Sequence, residues 1–260
     1  VEVFKRTALI VCTALITACA TGLSQEDQQK AEYFHDTGIS LYRDGRFPES
    51  IRAFEEALKV SPKRADYMLS LSLAFLKSER LEEAFLWTNK ACQQASMPTE
   101  CAIQQATLFV ASKRYTEALP WADKAIADAT YPSPAEPLQL RGRALHGLGR
   151  LEEAQQAFDV ATRRASSDCY SRLLLSRTLL ARGHFSDSVR EASIGRSLCN
   201  TNERAHEWEA FALYKSGRIA ESKKKYQRIM TLFRKSEIVE RNRQALTNLV
   251  NEEPLEEPTL

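Results

Sequence analysis

An all-α solenoid of six helical hairpins, closed by a C-terminal capping helix, is the fold that this chain of 260 residues predicts. Three observations carry it: a 34-residue period, small residues recurring at fixed places within that period, and only nine Gly and nine Pro. That Gly and Pro content is too low for the dense turns of an all-β domain or for phosphate-cradling glycine loops. A composition of 43% hydrophobic and 27% charged residues, with a mean hydropathy of −0.39, belongs to a water-soluble globular chain rather than to a disordered or many-spanning membrane one. With 36 Lys+Arg against 34 Asp+Glu, the balance is too even for the broad basic surface that a phosphate backbone needs, so nucleic acid is not an expected partner.

The first frame, 31–64, places Gly38, Phe47, Ser50, Phe54, Ala57 and Pro62 at its positions 8, 17, 20, 24, 27 and 32. The frame 65–98 gives Leu71, Ser72, Phe75, Leu81, Ala84 and Ala91, and the frame 99–132 gives Ala106, Phe109, Tyr115, Ala118 and Ala125. Two extra residues follow before the frame 135–168, with Gly142, Leu145, Leu151, Ala154, Phe158 and Ala161. Looser frames at 169–202 and 203–236 carry Ser176, Leu179, Phe185 and Ser188, then Ala210, Leu213, Ser222 and Tyr226. This pattern resembles the tetratricopeptide repeat, a helical hairpin with small residues where its two helices touch. One such hairpin cannot bury its apolar face alone, so stacking implies a right-handed superhelix with a concave groove. A helix over 237–250 continues the phase, with Ile238, Ala245, Leu246 and Leu249 able to cover the last repeat while Glu240, Arg241 and Arg243 face water. The acidic segment 251–260, with two Pro, is expected to fray into solvent.

Ahead of the array, Lys5 and Arg6 precede an uncharged run from Thr7 to Ala18 that is too short to span a bilayer. A cationic start, an apolar middle and small residues at its end read as a secretory signal over 1–18. Ile16-Thr17-Ala18-Cys19 resembles the bacterial lipobox, which implies cleavage before Cys19, lipidation of that cysteine and a tether over 19–30. Removal of residues 1–18 would leave 34 basic and 33 acidic residues, a net charge of +1. Ala20 stands where inner-membrane retention often shows Asp, so the resemblance implies an outer-membrane destination on the periplasmic face.

Beyond Cys12 in the signal and Cys19, the chain retains Cys92, Cys101, Cys169 and Cys199. An even number in an exported chain suggests disulfides, with three possible connectivities. Cys169 opens the fifth hairpin and Cys199 closes it, while Cys92 and Cys101 flank a short turn, so the expected pairs are Cys92 with Cys101 and Cys169 with Cys199. Four unpaired buried thiols are the alternative.

No catalytic constellation assembles from spacing. His206-Glu207 begins a His-Glu-x-x-His zinc motif, but residue 210 is Ala, and Gly147-Leu148-Gly149 has Glu152 in place of a third glycine. The latter reads as the turn inside the fourth hairpin. No enzyme activity, cofactor, metal or small-molecule substrate is expected. By the tetratricopeptide resemblance, positions 5, 9 and 12 of each frame line the groove. The candidate partner-binding residues are therefore Ile39, Tyr42, Leu69, Leu73, Leu76, Ile103, Val110, Arg143, His146, Arg177, Phe211 and Tyr214, apolar in the N-terminal half and mixed in the C-terminal half. Such a groove suits a segment of a protein partner anchored through its side chains.

A lipobox, six repeats and Tyr131-Pro132 within the slip Asp128 to Ala135 together resemble the type IV pilus biogenesis lipoproteins called pilotins, the PilF, PilW and Tgl family. Leu232-Phe233 before Ser236-Glu237 resembles that family's close to its sixth repeat, although Arg234 stands where a proline commonly follows, and the four further cysteines are not a family feature. The resemblance implies a lipid-tethered scaffold that binds secretin subunits and promotes assembly of the outer-membrane ring. Two other readings remain: a repeat-bearing lipoprotein of the outer-membrane β-barrel assembly machinery, which usually has about five repeats, and a general periplasmic protein–protein adaptor.

Overall fold

A computed structural model describes residues 23–94, 96–234 and 238–258, and these contain thirteen α-helices and no strand. Six antiparallel hairpins follow one another: α1 (Gln25–Arg43) with α2 (Phe47–Val60), α3 (Ala65–Lys77) with α4 (Leu81–Cys92), α5 (Pro98–Ala111) with α6 (Tyr115–Ile126), α7 (Ala135–Gly147) with α8 (Leu151–Arg164), α9 (Cys169–Ala181) with α10 (Phe185–Leu198), and α11 (Glu203–Lys215) with α12 (Ile219–Leu232). The thirteenth helix, α13 (Ile238–Val250), packs on α12. First helices of successive hairpins pack on one another, as α5 on α7, α7 on α9 and α9 on α11.

The repeat is written in the backbone as well as in the side chains. Each hairpin turns through one left-handed residue, namely Gly45, Glu79, Lys113, Gly149, Gly183 and Gly217. Their spacing is 34 residues except between Lys113 and Gly149, where the two-residue slip makes it 36. Glycine takes this conformation without a Cβ penalty, whereas Glu79 (φ 61°) and Lys113 (φ 59°) carry a strain of about 1 kcal/mol each. After the turn, an Arg at the helix N-cap pairs with a Glu three residues on: Arg46–Glu49, Arg80–Glu83, Arg114–Glu117, Arg150–Glu153 and Arg218–Glu221. These pairs are solvent-exposed and weak, and each sets a carboxylate beside a cation that is poorly placed at a helix N-terminus.

Within each hairpin the helices touch at positions 8 and 20. Ser50 Oγ donates to Gly38 O, Ser72 Oγ to Ala84 O and Ser222 Oγ to Ala210 O, each at 2.8 Å. In the fifth hairpin Ser176 and Ser188 each donate to the other's carbonyl, also at 2.8 Å. A hydroxyl in these places fits the contact and satisfies itself on the facing backbone, which a bulkier residue would hold away. Position 24 is an aromatic ring where position 8 is glycine. Gly38 faces Phe54 and Gly142 faces Phe158, whereas Ser72, Ala106 and Ser176 go with Thr88, Ala122 and Ala192 at the corresponding places, and only in the sixth hairpin does a non-glycine, Ala210, go with a ring, Tyr226.

The same serines also receive donors from the next hairpin. Gln104 Nε2 donates to Ser72 Oγ at 3.1 Å, and Trp208 Nε1 to Ser176 Oγ at 2.9 Å, so one buried hydroxyl joins two repeats. In the sixth hairpin, buried Glu209 takes Ser193 Oγ and Lys225 Nζ at 2.7 Å and Arg196 Nε at 3.1 Å, tying α10, α11 and α12 together. Burial works to raise its pKa, but these donors outweigh it and hold the carboxyl below its ordinary value.

The link over 127–134 is twice as long as the four-residue links at 61–64, 165–168 and 199–202. Its order comes from Asp128, which accepts from Thr130 N at 2.9 Å and Thr130 Oγ1 at 2.6 Å, and from Thr99 Oγ1 at 2.6 Å across the hairpin. Those bonds hold the Asp128 carboxyl below its usual pKa. Tyr131 packs on the α5–α6 cluster and donates to Glu136 at 3.2 Å, and its burial beside that carboxylate pushes the phenol up to about 12.

Disulfides join Cys92 to Cys101 and Cys169 to Cys199, with Cα separations of 5.5 and 5.9 Å. The first staples the second hairpin to the third, and the second closes the open end of the fifth.

Three sequence expectations need correction. Helix α1 begins at Gln25, capped by Ser24 Oγ on Asp27 N at 3.0 Å, so residues 25–30 are helix rather than tether. Arg241 does not simply face water, because its guanidinium forks onto the buried Glu207 carboxylate with Nε at 2.6 Å and fastens α13 to α11. The segment 251–258 does not fray; it turns back and buries Leu255 beside Tyr226 and Leu249. The expected signal 1–18, Cys19 and Ala20, together with Ser236 and Glu237, lie outside the described residues.

Two outcomes test this packing. A Cβ at Gly38 would sit 2.5 Å from the Phe54 ring, so Gly38→Ala should destabilise the chain by about 1 to 3 kcal/mol in urea, with Phe54→Leu recovering much of the loss in the double variant. For protein that begins after Cys19, intact mass should show no alkylation without reductant and four modified thiols after it, with each lost bridge lowering stability by about 2 to 4 kcal/mol. Four thiols open to alkylation from the start would refute the pairing.

Candidate protein-binding groove

The first helices α1, α3, α5, α7, α9 and α11 bring the twelve sequence-selected residues to one side of the array, but they do not expose them equally. Ile39, Tyr42, Leu73 and Leu76 are half-buried and form an apolar strip over the first two hairpins. His35 closes the start of that strip, stacked on Tyr67 with ring centroids 4.2 Å apart and its Nε2 2.9 Å from Ser70 Oγ. Burial keeps this imidazole below its usual pKa.

Four of the twelve belong to the packing between hairpins. Leu69, Ile103, Val110 and Phe211 are only 8, 6, 6 and 1% exposed. Adjacent first helices approach closely enough to cover these positions, so they form the floor beneath a surface rather than the surface itself.

The C-terminal half is polar and occupied. Arg143, His146 and Arg177, from α7 and α9, line a depression with Val110, Tyr115 and Leu174. Burial first, and the Arg177 charge second, push the His146 pKa down, while Glu257 works in the opposite direction. Its Nε2 is shut off from solvent and has no hydrogen-bond partner among the described residues. Arg177 Nε donates to Glu257 Oε1 at 2.6 Å, so a residue expected in solvent lies in the groove. Glu257 shares its site with His146, Leu180, Phe185, Phe211 and Lys215. Tyr214, half-buried, lines a separate depression with Ile219, Lys223, Leu249, Glu252 and Glu253.

Sequence reasoning missed Leu255, Glu257 and the Glu207–Arg241 pair. A signal for the first was present: Leu255 is a single large apolar residue set between Pro254 and Pro258 in an acidic run. His206 and Glu207 engage Asn200 O, at 2.8 Å from His206 Nε2, and Arg241 respectively. Among the described residues no group of three or more His, Cys, Asp or Glu could hold a metal ion, and no helix is long and apolar enough to cross a membrane.

Residues 35–97 and 103–168 match the family model described as tetratricopeptide repeat. The chain carries tetratricopeptide repeats. The match takes in all or part of the first four hairpins, and the fifth and sixth repeat the same turn and contact positions. No curated protein matches the sequence. Among solved structures, PilF of Pseudomonas aeruginosa is similar at a TM-score of 0.67 and 14% identity, over 88% of this chain and 100% of that one. PilW, described as a widely conserved type IV pilus biogenesis factor, is similar at 0.71 and 17%, over 84% and 99%. A chain of the Cut9–Hcn1 hetero-tetramer of APC/C reaches 0.71 at 11% identity, over 85% of this chain and 43% of that one. At such identities the likeness shows the fold alone, and a tetratricopeptide array is a scaffold for protein partners.

The burial pattern separates wall from floor. Ile103→Asp should place a carboxylate in the apolar packing of α5, where nothing pairs with it, and lower stability by about 3 to 5 kcal/mol, with loss of far-UV helical signal on mild heating. Leu73→Asp with Leu76→Asp should keep full helicity and move the urea midpoint little. Equal damage from the two variants would show that the strip is core as well.

Proposed function

We propose that this tetratricopeptide array is a lipid-anchored scaffold that binds secretin subunits and promotes their assembly into the outer-membrane ring of a type IV pilus system. Cys19, after Ile16-Thr17-Ala18, is its lipidation site, and the periplasmic face of the outer membrane is its location. Several acyl chains on one cysteine would anchor it firmly, since a single chain holds a membrane only marginally.

The observation that carries this reading is length. The chain is similar to PilF and PilW over 88 and 84% of its own length and 100 and 99% of theirs, whereas TTC0263 of Thermus thermophilus, matched over 99% of its length, spans 71% of this chain, and the Cut9–Hcn1 chain is matched over only 43% of its length. The Tyr131-Pro132 link between the third and fourth hairpins and the two disulfides, which suit an oxidising compartment, add support. The mechanism asks for no chemistry. A tether restricts the scaffold to the membrane where the ring forms, and a groove holds a subunit in place until its neighbours dock.

In cells carrying Cys19→Ala, the heat-stable secretin multimer should disappear from gels while the monomer persists, and deletion of the gene should do the same. Unchanged multimers in both strains would remove the secretin reading. Barrel-assembly components or cell-wall enzymes captured by the mature domain would then name the partner.

A further inference from the structure

The C-terminal segment does something more specific than cap the array. After α13, Glu253 N donates to Asn248 O at 2.8 Å and Asn248 Nδ2 to Pro254 O at 3.2 Å, so the chain is turned back toward the groove. Leu255 then packs with Tyr226, Leu249 and Ala245, 8% exposed, on the wall of a cavity that Arg241 and Gln244 also line. Two residues later Glu257 reaches Arg177, 80 residues away in sequence. An extended acidic stretch thus lies across α11 and α9, one apolar anchor buried and one carboxylate on a guanidinium.

The groove does not end where this segment does. Beyond Glu257, the depression around His146 and Arg177 continues to Arg143, Val110 and Tyr115. Arg143 has no ion-pair partner among the described residues. Lys215, Arg177 and Arg143 therefore lie along one track, and the C-terminal segment brings Glu257 to its beginning, with Glu256 beside the Arg241 that already holds Glu207. A track of spaced cations with an apolar hole at one end reads carboxylates and a single aliphatic side chain in an extended peptide.

We propose that the groove of repeats four to six is a receptor for an extended acidic, leucine-bearing segment of a partner protein, and that residues 254–258 are a resident copy of that ligand which the partner displaces. This rests on reading the array as a binding scaffold and adds the chemistry of what it binds. Prolines at 254 and 258 keep the segment extended and lower the entropy lost on docking. Covalent linkage gives the resident an effective concentration on the order of millimolar, so a free peptide of equal quality binds poorly until the resident leaves. A true partner succeeds by using what the resident leaves vacant, above all Arg143.

The test uses the full chain and a fluorescein-labelled peptide with the sequence of residues 251–258, read by fluorescence anisotropy. Tail-released variants, Leu255→Asp with Glu257→Lys, should bind this peptide at least ~tenfold more tightly than the unaltered chain. Glu257→Lys alone, at an exposed side chain that leaves the core intact, should give a smaller gain in the same direction. Adding Arg177→Glu to the released chain should return binding to baseline, and raising the salt should weaken it. The proposal is overturned if the released and unaltered chains bind equally, if neither binds, or if binding ignores Arg177. Its fate is separate from that of the secretin reading. Peptide binding as expected alongside unchanged secretin multimers keeps the acidic-segment receptor and removes the secretin partner, whereas the opposite pair of results does the reverse.

Discussion

The close approach of two helices at positions 8 and 20 is the constraint on which the rest of this molecule depends. A hairpin whose contact residues are Gly, Ala or Ser brings its backbones near enough for a seryl hydroxyl to reach the facing carbonyl, as Ser50, Ser72 and Ser222 do. That distance fixes the space left at position 24, filled by Phe54 and Phe158 where position 8 is glycine. It also sets where each next hairpin lands, and hence the lateral spacing of the first helices that form the groove. Donors from Gln104 and Trp208 onto Ser72 and Ser176 carry this registration from one repeat to the next.

The groove has two chemistries because its first helices differ along the chain. Over α1 and α3 it offers Ile39, Tyr42, Leu73 and Leu76, a strip with no buried charge beside His35. Over α7 to α11 the same positions hold Arg143, His146 and Arg177, and the chain's own acidic segment has settled there. Burial of Leu255 supplies on the order of 1 to 2 kcal/mol and fixes the register, while the exposed Arg177–Glu257 pair contributes less and chiefly sets direction.

The six hairpins and their slip were legible in the sequence because the contact positions are steric and local: Gly38, Ala84, Ala118, Ala154 and Ser188 mark them whatever lies outside. The turns were legible for the same reason at Gly149. What the period could not give was the covering of one hairpin by the next. Helical phase puts Val110 and Phe211 on the groove side, but whether a neighbour closes over them depends on the spacing of first helices, which no single repeat encodes. The C-terminal segment escaped for a related reason. Four Glu and two Pro read as solvated until Arg177 and the hole for Leu255, assembled from three helices, are in place.

The fifth-hairpin bridge bears on what happens when such an array is pulled. A stacked solenoid under tension gives way at its ends and lengthens one repeat at a time, each releasing its whole contour. Cys169 and Cys199 are separated by 30 residues, so their bond withholds about 100 Å of extended chain from that process. The shorter bridge from Cys92 to Cys101, across 9 residues, withholds about 30 Å more at the junction of the second and third repeats. Extension of the array therefore releases less chain at the fifth repeat, and at the junction of the second and third, than at the repeats without a bridge.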